Sequence, residues 1–262
     1  MPETTIRYQA VERVATLTID RPRAKNALGP DEWRGLAEGV ARAAEDPSVR
    51  VLVVAGAGGD FSAGGDVKTM PERLALPPAE RRARLLADAQ VIRALRELPK
   101  PVVARIDGAC VGAGLGLALA CDLRWASSRA RFAASFHRVG LSADFGVLHL
   151  LPRAVGLARA TELLLVAEAI DAARAEAIGL VHRVVDPGAL EGEVAALAAR
   201  LADGPPVAQA LTKAGLAAAL ERDLAATLEW EAAAQAICSR TDDAREGLAA
   251  LAEKRPPRFT GR

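Results

Sequence analysis

Three observations predict an α/β fold for this chain. Two near-continuous apolar runs, residues 49–55 (VRVLVVA) and 102–106 (VVARI), read as strands buried on both faces, as in a parallel sheet. Each run opens into a glycine-rich loop and then the start of a helix, over residues 56–70 and 107–117. From Leu190 onward strand signals stop, and Leu190, Val194, Leu197 and Leu201 keep helical spacing. These features divide the chain into an α/β body over residues 1–190 and a helical region over residues 191–262.

The elements follow in order. Residues 5–8 and 14–19 read as two short strands around a polar turn, a hairpin. Residues 20–28 form a loop with three cations, Arg21, Arg23 and Lys25. Gly29-Pro30-Asp31-Glu32 opens a helix, because proline suits the first helical position and acids suit the first turn. That helix runs to Glu45 and stops before Pro47. After the strand at 49–55, the glycine loop reaches Asp66, where a further helix start is expected over residues 66–70. Residues 73–83, charged and proline-containing, read as a mobile surface stretch. Leu85, Ile92 and Leu95 mark one face of a helix ending at Pro99. Beyond the second glycine loop, residues 115–121 read as a buried helix, and 122–126 and 130–133 as short strands. A glycine turn, one acid (Asp144) and a short apolar helix fill residues 139–151. Helices at 158–166 and 172–178 precede a strand at 180–185. Pro205-Pro206 separates the helix at 190 from three more, over 207–220, 224–238 and 243–252.

Composition narrows the function. Hydrophobic residues are 51% of the chain but aromatics only 3%, so the core rests on Ala, Val and Leu, and base stacking is disfavoured. Lys and Arg total 34 against 33 Asp and Glu, which gives no global field for nucleic acid or an anionic membrane. The first residues, MPETTIRYQAVER, lack an apolar signal-peptide core, and no uncharged run reaches membrane-spanning length. Cys110, Cys121 and Cys238 are odd in number and widely spaced, the usage of reduced thiols in a cytoplasmic protein.

The chain centres on residues 106–127, IDGACVGAGLGLALACDLRWAS. Glycines at a strand-to-helix junction let backbone N–H groups face outward, and a helix start leaves N–H groups unpaired. Gly112, Gly114 and Gly116 thus fit a cradle for developing negative charge and, equally, close helix packing. Other chemistries are missing. There is no G-x-x-x-x-G-K-[ST] and no G-x-S-x-G, and residues 112–117 miss the last position of G-x-G-x-x-G. His137, His149 and His182 lack metal-ligand spacing, so no metal site is expected. Cys110 reads as a packed thiol rather than a nucleophile.

Across essentially its whole length the chain resembles the crotonase superfamily, the enoyl-CoA hydratase/isomerase group. The matching pieces are Arg21-Pro22…Asn26-Ala27-Leu28, Phe61-Ser62-Ala63-Gly64-Gly65-Asp66, Asp107-Gly108…Gly112-Ala113-Gly114 and Cys121-Asp122. Val139-Gly140-Leu141, Leu151-Pro152-Arg153, residues 177–181 and the tail Lys254-Arg255-Pro256-Pro257-Arg258-Phe259 continue the match in order. The resemblance implies a spiral of ββα units, a helical C-terminal region that builds a homotrimer or a hexamer, and an acyl-CoA thioester substrate. It implies no permanently bound cofactor, coenzyme A arriving as part of the substrate. By position, the amides of Gly65 and Ala113 would hold the thioester oxygen as it becomes an enolate. Ala24, Ala63, Asp66 and Val67 would contact coenzyme A, and Lys254 and Phe259 its adenosine end.

The chain departs from the hydratases at their two glutamates, where it carries Gly116 and Phe136. Asp144 resembles the single aspartate of isomerase and dehalogenase members, with Ala143 where proline is common among them. Its alternative role is an N-cap for the helix that follows. The expectation is an acyl-CoA isomerase acting through a thioester enolate with Asp144 as its base, ahead of a hydratase or hydrolase with its acid elsewhere and of a non-catalytic acyl-CoA binder. Phe136, Val139, Leu141 and Phe145 point to an apolar acyl pocket.

Overall fold

In a computed structural model, which describes residues 5–262, the body is built on two sheets. The chain opens with the hairpin β1 (Ile6–Val11) and β2 (Val14–Ile19), then α1 (Pro30–Glu45) and β3 (Val51–Gly56). Next come α2 (Met70–Ala75), α3 (Pro78–Glu97), β4 (Val102–Ile106), β5 (Ala109–Val111) and α4 (Ala113–Ala120). β6 (Leu123–Ser127), β7 (Arg131–Ala133), α5 (Val147–Val155), α6 (Leu157–Leu165), β8 (Ile170–Asp171), α7 (Ala172–Ala177) and β9 (Arg183–Val185) finish the body. The remainder is helical: α8 (Leu190–Ala202), α9 (Pro206–Ala218), α10 (Leu224–Cys238) and α11 (Asp242–Glu253).

The large sheet has the order β1-β2-β3-β4-β6-β9, antiparallel only at β1–β2. The small sheet is β5-β7-β8. Consecutive strands thus part company: β4 joins the large sheet and β5 the small one, and β6 and β7 divide the same way. With α4 and α5 completing them, these are successive ββα turns of a spiral. Side chains of β3 and β4 alternate between two buried faces, as the strand period of two requires. Leu52, Val54, Ala104 and Ile106 join the main core with Trp33, Leu36 and Val40 of α1. Val51, Val53 and Val103 meet Leu190, Val194, Leu197 and Ala198 of α8 on the other face. α8 therefore covers the sheet, whereas α9 and α10 bury no residue completely.

Four details differ from the expectations. Residues 66–69 form a turn, and the helix begins only at Met70, because Asp66 binds the Lys68 amide in a turn closed by Thr69. The charged stretch 73–83 is largely helical, held by the Arg73–Asp88 ion pair and by a bond from Arg81 Nη1 to Arg73 O. The strand expected at 180–185 shortens to Arg183–Val185. β5 and β8, three and two residues long, carry no periodic signal of their own.

Candidate active site

Three loops meet at the site, and Asn26 ties two of them together. It is fully buried in a left-handed turn (φ 57°). Its Nδ2 donates to Ala57 O at 2.8 Å and Asp60 O at 2.6 Å, while its Oδ1 accepts from Arg21 N at 2.9 Å. Ser62 Oγ donates to Asn26 O and accepts from Gly64 N. The third loop is laced on by Phe61 N to Asp107 O, Ser62 N to Ala109 O and Val111 N to Ser62 O. Arg21 adds an ionic clamp, with Nη2 2.9 Å from Asp66 Oδ2 and Nη1 3.1 Å from Glu32 Oε2.

The clamp fixes two backbone donors. Gly64 (φ +93°) must be glycine, because a Cβ there would sit 2.7 Å from Val111 O and would require a conformation L residues rarely adopt. That close approach sets Gly65 opposite the start of α4. Leu28 N binds Gly64 O and Asp66 N binds Leu28 O, so the intervening Gly65 N–H stays unspent. Ala113 is the first residue of α4, after Gly112 at φ 53°, and its N–H is one of the helix's orphan donors. Among the described residues neither N–H has an intramolecular acceptor. Both residues line one cavity of about 160 Å³, together with Ala63, Val67, Phe136 and Asp144.

Among the described residues Asp144 is the only acid on that cavity wall. Its Oδ1 is out of water and finds no hydrogen-bond partner among the described residues. Burial pushes the carboxyl up to about 6, and the cations Arg73 and Arg81 offset only part of that rise. The N-cap alternative fails: Gly146 occupies the cap of α5, with no side-chain cap bond, and Asp144 offers Val147 only its backbone carbonyl.

Gly116 and Phe136 hold no acid, and packing explains the first. A Cβ on Gly116 would lie 2.6 Å from Phe145 O and 2.9 Å from Phe145 Cβ. Phe145 is itself left-handed (φ 48°), a strained state for a bulky residue, and it stacks on Trp33 at 4.2 Å with planes 10° apart. The carbonyl and Cβ of Phe145, with Val147 Cγ2 at 3.3 Å, fill the room that a side chain at 116 would need. Phe136 is buried on the cavity wall.

The other sequence candidates divide. Val67 stands exposed at the rim. Ala24 lies in a separate cleft with Arg21, Arg23 and Lys68. Asp66 is buried, and its carboxyl sits below the ordinary value. Burial alone would raise it, but the Lys68 amide and Arg21 prevail. Its side chain is thus occupied. Lys254 caps α11, and Phe259 packs near Gly247; neither lines the cavity in this chain. Cys110 is buried with its thiol pushed up by burial, and His137 bonds Leu164 O. Sequence reasoning missed Trp33, Met70, Arg73, Arg81 and Leu85 on the cavity wall. The apolar spacing of Leu85 with Ile92 was a usable signal for α3, and extending it one turn back reaches Arg81.

The chain belongs to the enoyl-CoA hydratase/isomerase family, whose model matches residues 9–262. It is 36% identical over 249 residues to a crotonyl-CoA hydratase of Syntrophomonas wolfei, covering 95% of each chain. It is 34% identical over 263 residues to a trans-2-decenoyl-[acyl-carrier-protein] isomerase of Streptococcus mutans, covering 98% of each. A solved structure from Streptomyces coelicolor A3(2) superposes with a TM-score of 0.95 at 42% identity, covering 100% of this chain and 96% of that one. These likenesses agree with the spiral of ββα units described above.

Proposed function

We propose that the protein is an acyl-CoA isomerase in which Asp144 is the single proton carrier. The observation that carries this reading is the unpartnered Asp144 Oδ1 on a cavity wall that, among the described residues, holds no second acid. The thioester oxygen would accept from the N–H groups of Gly65 and Ala113. Asp144 would take a proton from the carbon α or γ to the thioester carbonyl. The electron pair of that C–H bond moves to the thioester oxygen as an enolate, which the two amides stabilise. Return of the same proton to the other carbon shifts the double bond, with no net loss or gain of atoms.

Coenzyme A would run from the rim at Val67 and Ala63 toward the cleft at Ala24. Arg23 and Lys68 line that cleft and form no ion pair among the described residues, which suits the phosphates of coenzyme A. Lys254 and Phe259 would reach an adenosine end only on a neighbouring copy. The helices after α8 support a homotrimer, since Leu216, Leu220, Leu224, Leu228, Ile237, Leu248 and Leu251 are exposed.

Hydration is the second reading, favoured by relatives named hydratases. Adding water across a double bond usually recruits two carboxylates, and Gly116 and Phe136 supply none. A panel of 2-enoyl-CoA and 3-enoyl-CoA esters, followed for double-bond migration and for water addition, separates the two. Isomerisation without efficient hydration is expected. Fast hydration of a short 2-enoyl-CoA would overturn the proposal.

A further inference from the structure

The cavity wall carries a charge that the proposed chemistry does not use. Arg73 and Arg81 line the same cavity as Asp144, among apolar neighbours such as Met70, Leu85 and Leu141. Arg73 is neutralised: it is ion-paired with Asp88, both side chains being only 16% exposed. Arg81, half-buried, spends Nη1 on Arg73 O at 3.0 Å and forms no ion pair among the described residues. Asp144 shares the cavity and acts on Arg81 through space, but the two form no salt bridge. Arg73 is paired with Asp88, so among the described residues the cavity keeps one guanidinium, that of Arg81, with no salt-bridge partner.

That arrangement discriminates between acyl groups. A neutral alkyl chain entering the chamber would displace water from Arg81 and leave its remaining N–H donors unpaired, at a cost in binding. A planar carboxylate matches the guanidinium fork and restores those bonds in charge-assisted form. Sites built to hydrogen-bond a substrate group reject the analogue that lacks it far more strongly than apolar pockets reject a missing methylene.

We propose that the protein takes CoA thioesters whose acyl chain ends in a second carboxylate, with Arg81 as the specificity-determining counter-ion. This rests on the reading of the cavity as an acyl-CoA site, and its test is chosen so that it does not depend on turnover. Calorimetry would compare saturated, unreactive esters in pairs: succinyl- with butyryl-CoA, glutaryl- with pentanoyl-CoA, and adipyl- with hexanoyl-CoA. At least one dicarboxylic ester should bind tighter than its neutral partner by about tenfold or more, the range of one charge-assisted bond. Arg81→Met should erase that preference and Arg81→Lys should keep part of it, with circular dichroism showing both folded. A preference below that in every pair, or one that survives Arg81→Met, would overturn the proposal. Should neither ester type bind at all, the acyl-CoA site itself would be wrong. Full isomerase activity in Asp144→Asn alongside an intact preference would remove only the proton-transfer reading.

Discussion

Restoring a hydratase-type acid at Gly116 should damage the fold rather than create a hydratase. A Cβ at 116 would lie 2.6 Å from Phe145 O, 2.9 Å from Phe145 Cβ and 3.3 Å from Val147 Cγ2. The nearest atoms are backbone and the root of a side chain, so the segment carrying Phe145 must move and its stack on Trp33 must open. Overpacking of this kind costs about 1–3 kcal/mol. Replacing glycine within a helix returns about 1 kcal/mol. A glutamate would also bury an unpaired charge, worth roughly 3 kcal/mol more. Gly116→Glu should therefore lose on the order of 3–5 kcal/mol, and Gly116→Ala about 0–2 kcal/mol as the control for size alone. For a chain of this length that is a fall in thermal midpoint of roughly 6–20 °C for the glutamate variant. Differential scanning fluorimetry gives the midpoint, and hydration of a 2-enoyl-CoA gives the activity. A Gly116→Glu protein with the wild-type midpoint, or one that gains efficient hydration, would refute the claim that Phe145 and Val147 have closed this position.

Three more predictions follow from the same contacts. Ala113→Pro removes one oxyanion donor at a helix position that tolerates proline; kcat should fall on the order of 10²–10³ with the circular dichroism unchanged, and near-normal turnover would remove Ala113 from the site. Arg21→Ala strands the buried carboxylates of Glu32 and Asp66 and should cost about 3–5 kcal/mol, read by urea unfolding. A loss under about 1 kcal/mol would mean that water reaches those acids in place of the guanidinium. Sedimentation at micromolar concentration should give a trimer or a multiple of three, and a stable monomer would contradict the role given to the exposed leucines of α9–α11.

Much of the spiral is readable from the sequence because it rests on local rules. The apolar runs before each glycine loop are buried on both faces, and α1 begins at Pro30 and ends at Glu45 where proline, acids and Pro47 bound it. Gly64, Gly65 and Ala113 are also legible, since glycine loops at strand-to-helix junctions advertise free amides. What escaped is long-range. β5 and β8 form through contacts between distant residues, β5 with β7 and with Ser62, and β8 with β7. The segment around Arg73 and Arg81 looks like solvated surface by charge. Ion pairing with Asp88 folds it into helices whose inner side faces the cavity. The reason for Gly116 is likewise invisible in one dimension, because it lies in the backbone and Cβ of Phe145 and in the side chain of Val147.

The most direct test of the central claim is the pH dependence of 3-enoyl-CoA isomerisation by the wild type and by Asp144→Asn. The carboxylate, and not its acid form, is the base. Burial holds the free-enzyme carboxyl at about 6, well above its ordinary value of 3.8. Activity should therefore be full above pH 7 and fall as pH drops through about 6, tenfold for each pH unit below it. The same shift predicts a stability contribution that is present below about pH 4 and lost as pH rises through about 6, since the folded state holds that proton more tightly. Asp144→Asn should lose on the order of 10²–10⁴ in kcat/KM and with it the limb near pH 6, while unfolding at neutral pH becomes no easier. A wild-type profile flat from pH 5 to pH 8, or an Asp144→Asn enzyme with full activity and the same limb, would contradict the assignment of Asp144 as the single base.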